Sequence, residues 1–277
     1  MDIEYLDRHY KLYKSAWTYC GDIREERFLE KDEVSYLLRK GGLLVRNLYG
    51  FDCGEPTSFW YLVKDRENMT ELGGHTTRRR VQKALSLLRY EMVPVSQFPV
   101  LEAYEVMKKN HNFYKVKSVC PSWDSFKQRF FGMNEEFYDL WTARSKETNQ
   151  LVAWAVKYRN VEYCDYRTIK ADPAFFQSHF PFYGFYSVCN EYYLSQRGMC
   201  FVTIGSRSIT EHSNIEAFLT EKFKFRKAYC HIRVYYKWWL SLLVKSFFPF
   251  RSLIPRSCAL RAILNMEEMQ RKDKYAE

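Results

Sequence analysis

No Cys-x-x-Cys pair occurs among the eight cysteines, and no histidine stands at ligand spacing from a cysteine pair. A zinc centre built on short Cys/His spacing is therefore not expected, and no metal site is assigned. The Gly-x-Ser-x-Gly turn, the Walker loop and the Gly-x-Gly-x-x-Gly fingerprint are also missing, so nucleophile-elbow hydrolases, P-loop NTPases and Rossmann dehydrogenases have no motif to stand on. There is no short-period repeat, coiled coil or low-complexity segment. The opening residues, MDIEYLDRHYK, are charged and hold no apolar secretory core. Most of the cysteines fall inside apolar segments, where a thiol behaves as a small buried hydrophobe. A reducing cytoplasm is the compartment these features lead one to expect.

What is present in excess is aromatic and basic. The 277 residues are 18% Phe, Trp and Tyr, a composition that suits strands and large ligand-lined surfaces, because flat rings pack well on a pleated sheet. Lys and Arg number 43 against 33 Asp and Glu, a formal charge of +10. Such a surplus concentrates anions: phosphates, nucleic acid or anionic lipid. The length suits about two domains.

The first forty residues read as polar and helical, ending at the Gly41–Gly42 pair. Strands follow at 43–51 and 59–65. Val81, Ala84, Leu85 and Leu88 then recur at helical spacing, with Thr76 or Thr77 in position to cap that helix. After a short strand near residue 90, two helices come next, the second capped by Ser122. Three strands joined by hairpins lie between about 136 and 170. A Phe-rich loop, ADPAFFQSHFPFYG, leads into a helix that Gly198 ends, then a buried strand. In SNIEAFLTEKFKFRKAYCHIRVYY, Ser213 and Glu216 form a capping box for a short helix. The strand after it buries Ala228, Cys230, Ile232 and Val234. Three segments result: 1–96, 97–236 and a basic aromatic tail, 237–277.

The order from 97 to 236 is similar to that of the GNAT acyltransferase superfamily. Leu219, Glu221, Lys222 and Phe225 match its Leu-Tyr-Glu-Lys-x-Gly-Phe close, with Thr220 in place of Tyr and Lys224 in place of Gly. In ELGGHTTRRRVQKAL, Arg79, Lys83 and Ala84 resemble the first half of the Fem-type peptidoglycan-bridge aminoacyltransferases, which pair two GNAT-like halves. The resemblance implies an α+β fold of two such halves with mixed, mostly antiparallel sheets. It also implies acyl transfer to an amine on a sugar, lipid or peptide of the cell envelope. Acetyl-CoA or another acyl-CoA is the first donor it suggests, and aminoacyl-tRNA the second. A protein that keeps the fold as a non-catalytic binding module is the competing expectation.

By the same resemblance, the last of the three strands holds the donor arm at Arg167, Thr168 and Ile169, and the following loop, before Gly184, holds its phosphates. That loop is long and aromatic, and bulky side chains obstruct the approach of phosphate to backbone. Glu162 and Asp165 are the candidate bases, with exposed, ion-paired strand carboxylates as the plainer reading. Tyr229 or Tyr183 is the candidate acid, since a Thr220 hydroxyl is too weak. Asn214 is a ligand contact or a helix cap, and His212 a loop histidine or a base. Arg78, Arg79 and Arg80 either clamp a phosphate of tRNA, a nucleotide-linked sugar or a lipid, or form a solvated helix face; consecutive residues sweep round a helix, so at least one must face something other than bulk water. In the tail, Trp238, Trp239, Leu242, Leu243 and Phe247 lie at helical spacing beside Lys237, Lys245 and Arg251. The apolar run before Pro249 is shorter than the ~20 residues that span a bilayer. Two readings remain: a helix lying on the inner face of a membrane, or one folding back with this face in the core.

Overall fold

A computed structural model describes residues 1–114, 119–209, 214–255 and 259–274. Strands and helices are numbered in chain order. Contacts divide the chain into two compact units. One comprises Met1–Tyr61, Ser206–Ser213 and Lys227–Glu277; the other comprises Leu62–Gly205 and Asn214–Arg226. This division does not follow the expected segments: the first unit takes in the tail and the final strand, and the second begins at Leu62 instead of 97.

The first unit opens with strands where helix was expected. β1 (Asp2–Tyr5), β2 (Arg8–Tyr13) and β3 (Ala16–Tyr19) form an antiparallel meander. Its two tight turns place Leu6, Asp7, Lys14 and Ser15 at positive φ. Paired positive φ values match the right-handed twist of the flanking strands, and here they are adopted without glycine. The helical part is confined to α1 (Lys31–Arg39), which covers Tyr10, Trp17 and Val45 with Val34 and Leu37. β4 (Leu44–Tyr49) runs parallel to β3 and antiparallel to β11 (Arg226–Tyr236). β11 buries Ala228, Cys230, Ile232 and Val234, the alternation read in the sequence.

The tail returns to this unit as α7 (Trp238–Phe247) and α8 (Ala259–Lys274). Met266 and Met269 of α8 pack on Cys230, Ile232 and Val234. Gln270 Oε1 accepts a hydrogen bond from the Val234 amide at 2.9 Å, and the two Asp273 oxygens accept from the amides of Ser58 (3.0 Å) and Ile232 (3.3 Å). Side chains of a helix thus satisfy backbone donors that a neighbouring strand would otherwise take. α7 buries Leu240 and Val244 against Leu264. Of the two readings of the tail, the one that put Trp238, Trp239, Leu242, Leu243 and Phe247 in the core is not borne out, because that face is exposed.

In the second unit, β6 (Leu88–Val93), β7 (Tyr138–Ser145), β8 (Leu151–Arg159) and β9 (Tyr163–Ala171) pair antiparallel in sequence order. β10 (Phe201–Ser206) pairs parallel with β9. β8 is buried from Leu151 to Lys157, because both its faces are covered. On one side α3 (Val100–Phe113) and α4 (Trp123–Phe131) bring Phe126 and Phe130 onto Trp154, and Ser122 caps α4 as expected. On the other lie α2 (Gly74–Leu87), α5 (Pro181–Asn190), its π-helical extension Glu191–Gln196, and α6 (Ile215–Phe223). The caps expected from Thr76 or Thr77 are not made, and Thr77 is buried. β5 (Phe59–Asp65) carries the chain from the first unit into the second. The fold is α+β, with mixed and mostly antiparallel strands.

Candidate functional site

The second unit's one parallel pair among the described residues opens like a fork. β9 and β10 are in register for three pairs only: Tyr163 with Phe201, Cys164 with Val202, and Asp165 with Thr203. Both strands then continue apart, β9 to Ala171 and β10 to Ser206. Two local features account for the divergence. The β8–β9 register shifts between Val156 and Tyr158, so that Tyr166 and Arg167 together stand opposite the single residue Lys157. Such a bulge bends its strand and increases its twist. On β10, Gly205 has φ +90°, and a Cβ there would meet open space. The β9–β10 ladder thus ends at Asp165 and Thr203, and beyond it the Gly205 amide turns to the Thr203 hydroxyl at 3.0 Å.

Asp165 is the last paired residue, and Arg167, Thr168 and Ile169 follow it beyond the fork. Arg167 Nε lies 3.0 Å from the Asp165 carboxylate, and its guanidinium stacks 4.4 Å from the Tyr158 ring. Partial burial pushes the Asp165 pKa up, and Arg167 works against that shift. Glu162 precedes the strand at its closed end, where its carbonyl accepts the Cys200 amide at 2.8 Å. Of the two candidate bases, only Asp165 is at the fork.

The segment after β9 keeps the aromatic character read from the sequence. Phe175, Phe176, Phe180 and Phe182 pack against the second unit's core. Phe180 precedes α5 at φ +50°, Pro181 supplies no N–H, and the Tyr183 amide is bonded to the Phe180 carbonyl at 2.9 Å. The helix start therefore offers little free backbone to an anion. Positive charge comes from side chains instead. Arg80 of α2 donates to the Tyr183 hydroxyl at 2.7 Å, and its guanidinium lies 5.3 Å from the Phe180 ring centroid. The Lys83 ammonium is 5.6 Å from the same ring. Arg78 and Arg79 are exposed. Of the three arginines, Arg80 is the one turned toward protein.

Other expected residues have different surroundings. Gly184 is buried under the Tyr90 ring, which a Cβ would overlap, so this glycine serves the approach of Tyr90 to α5 and is not an open cofactor contact. Tyr183 is buried among Phe218 and Phe223, and its hydroxyl is engaged by Arg80. Tyr229 belongs to the first unit, edge-on to Trp60 at 6.2 Å. Asn214 is exposed at the start of α6 and makes no side-chain cap. Thr220 is exposed on the same helix. His212 and the Ser213 half of the capping box lie outside the described residues.

One group went unread in the sequence. Lys157 is 0% exposed, its ammonium 3.4 Å from the centroid of the Tyr166 ring and without a hydrogen-bond partner among the described residues. Burial lowers its pKa, with nearby Cys189, Cys164 and Asp165 opposing the shift. Around it run the bonds of a buried network. Tyr166 donates to Asn190 at 2.9 Å, Tyr193 to Asp139 at 2.7 Å, and Trp141 to Tyr193 at 3.0 Å. In the sequence, Lys157 closes the apolar run LVAWAVK, which was the available signal that it continues a strand buried on both faces.

No protein-family model matches the chain, and neither does any curated protein. Solved structures do. The C-terminal domain of a lysylphosphatidylglycerol synthetase from Agrobacterium fabrum superposes with a TM-score of 0.56 at 12% identity, over 87% of this chain and 84% of that one. FemX gives 0.56 at 10% identity, over 89% and 86%. The lysylphosphatidylglycerol synthetase of Bacillus licheniformis gives 0.54 at 11%, over 95% and 86%. The chain has a GNAT-like fold with Fem-like structural relatives.

Proposed function

We propose that this protein is an acyltransferase that takes its acyl group from a phosphate-bearing activated carrier and delivers it to an amine. The observation that carries the proposal is the β9–β10 fork. The acyl-bearing end of the donor, through its carbonyl and neighbouring polar groups, can hydrogen-bond to the strand edge after Asp165, where the ladder to β10 has ended. Asp165 then acts as the base that takes a proton from the acceptor ammonium, and its raised pKa makes it a stronger base than an ordinary aspartate. Arg80 and Lys83, beside the start of α5, meet the donor phosphates with side-chain charge in place of a glycine-rich backbone.

Aminoacyl-tRNA is favoured over acetyl-CoA as the donor. The proline-led, aromatic start of α5 leaves little backbone to cradle a pyrophosphate, whereas a polyanion needs only surface cations, which the +10 charge supplies. The test is thermal unfolding of the full chain with acetyl-CoA or with aminoacyl-tRNA. A donor that binds only the native state raises the melting temperature by mass action. A rise with aminoacyl-tRNA that exceeds the rise with uncharged tRNA supports this donor. A rise with acetyl-CoA alone assigns the first-expected donor, and no rise with either overturns the enzyme reading.

A further inference from the structure

The sequence from Lys222 to Met266 contains no Asp or Glu, while it carries ten Lys and Arg residues. Within this stretch the first unit displays its largest run of exposed apolar side chains. Trp238 is 76% exposed, Leu242 57%, Phe250 58% and Leu253 79%, and Trp239 and Leu243 are also exposed. Successive residues of a helix turn by about 100°, so the exposed apolar residues of α7 fan over roughly half its circumference, and Leu240 and Val244 on the remaining side hold the helix to Leu264. Lys237, half-buried, immediately precedes α7 and Lys245 lies exposed on it at one edge of the fan, and neither makes an ion pair with any described residue; Arg251, farther along, is paired with Glu268 at 3.2 Å.

We propose that α7 and the turn after it, through Leu253, form a docking surface for an anionic lipid bilayer. The apolar fan enters the boundary between headgroups and acyl chains, the exposed indole rings sit at headgroup level, and Lys237 and Lys245 meet lipid phosphates. Charge selects this occupant over a second copy of the chain. A twofold contact through this surface would set its cations against themselves with no acidic residue of the stretch to offset them, whereas an anionic surface neutralises them. Attachment is peripheral, since among the described residues no helix is long and apolar enough to cross a membrane. The inference is independent of the acyl donor.

The test is co-sedimentation of the full chain with vesicles of phosphatidylcholine alone or mixed with phosphatidylglycerol, at low and high salt. Two variants accompany it: Trp238→Ser/Leu242→Ser/Leu253→Ser, and Lys237→Glu/Lys245→Glu. The substituted side chains lie at the surface, and thermal melting confirms that both variants fold. The wild type is expected to bind the anionic vesicles and to release with salt. The serine variant should bind at least about tenfold more weakly, for the apolar area it no longer buries, and the glutamate variant should lose its preference for anionic lipid. No binding by the wild type, or equal binding by all three proteins, overturns the proposal. So does a lipid-free dimer in light scattering that the serine variant dissociates, which would make the patch a self-interface.

Discussion

At the scale of single residues, Lys157 gives the sharpest stability test. Its folded pKa lies below the ordinary lysine value of 10.5, so below that value the unfolded chain binds a proton more readily than the native one. Stability is reduced there and rises as the pH climbs through the interval between the folded and unfolded pKa. Lys157→Met keeps the length, removes the unpartnered ammonium and gives up its contact with Tyr166. It is expected to stabilise the protein by about 1–3 kcal/mol at neutral pH and to flatten the rise of melting temperature with pH that the buried ammonium produces below its ordinary pKa of 10.5. Asp165→Asn should lower kcat by on the order of a hundredfold with little change in melting temperature, since the side chain is partly exposed and its pairing with Arg167 is modest. Arg80→Ala should raise the donor Kd about tenfold, read by titration of the folded variant, while Arg78→Ala, at an exposed position, should change it little. The sequence showed that at least one of three consecutive arginines must face something other than bulk water, but which one depends on where α5 packs. Asp165 was visible as a strand carboxylate; its place at the fork was not, because the fork depends on the bulge where β9 pairs with β8 and on the conformation of Gly205.

At the scale of elements, the close of α6 shows how a departure from a family pattern is absorbed. Lys224 occupies the glycine position and adopts the conformation glycine would, at φ +55°, with its amide reaching the Leu219 carbonyl. Lys224→Gly should therefore stabilise the protein by about 1 kcal/mol, read from the urea midpoint. The reverse holds at Gly73. Its amide donates to the Lys222 carbonyl at 2.9 Å, and a Cβ would overlap the backbone oxygen of Glu221. Gly73→Ala should cost more than about 2 kcal/mol in the same measurement, because backbone must move to admit it. Elements with strong periodicity were legible: β5 lies at the expected residues, β7 to β9 in the expected order, and β11 on its expected apolar face. The N-terminal meander was hidden because its turns, Leu6–Asp7 and Lys14–Ser15, lack the Asn-Gly or Asp-Gly signal that usually marks such hairpins. The tail kept two readings for a different reason. Helical spacing shows that apolar residues share a face, but not which side of the helix finds a partner, and the smaller pair Leu240 and Val244 found it.

At the scale of the whole molecule, the units follow pairing and packing instead of segment boundaries. Deleting everything after Tyr236 removes the acceptors of the Val234, Ile232 and Ser58 amides and uncovers the apolar row of β11. The truncated chain is expected to lose the cooperative unfolding of its first unit and to be cut there by protease at low concentration, while the second unit stays resistant. The discontinuity of the first unit also has a consequence for the order in which a ribosome delivers the chain. β4 emerges early, yet its antiparallel partner β11 is translated only after nearly all of the second unit. During that interval the second unit can already fold, while the N-terminal strands wait with an unpaired edge. Synthesis rate through the middle of the chain thus sets how long that edge remains open to wrong partners.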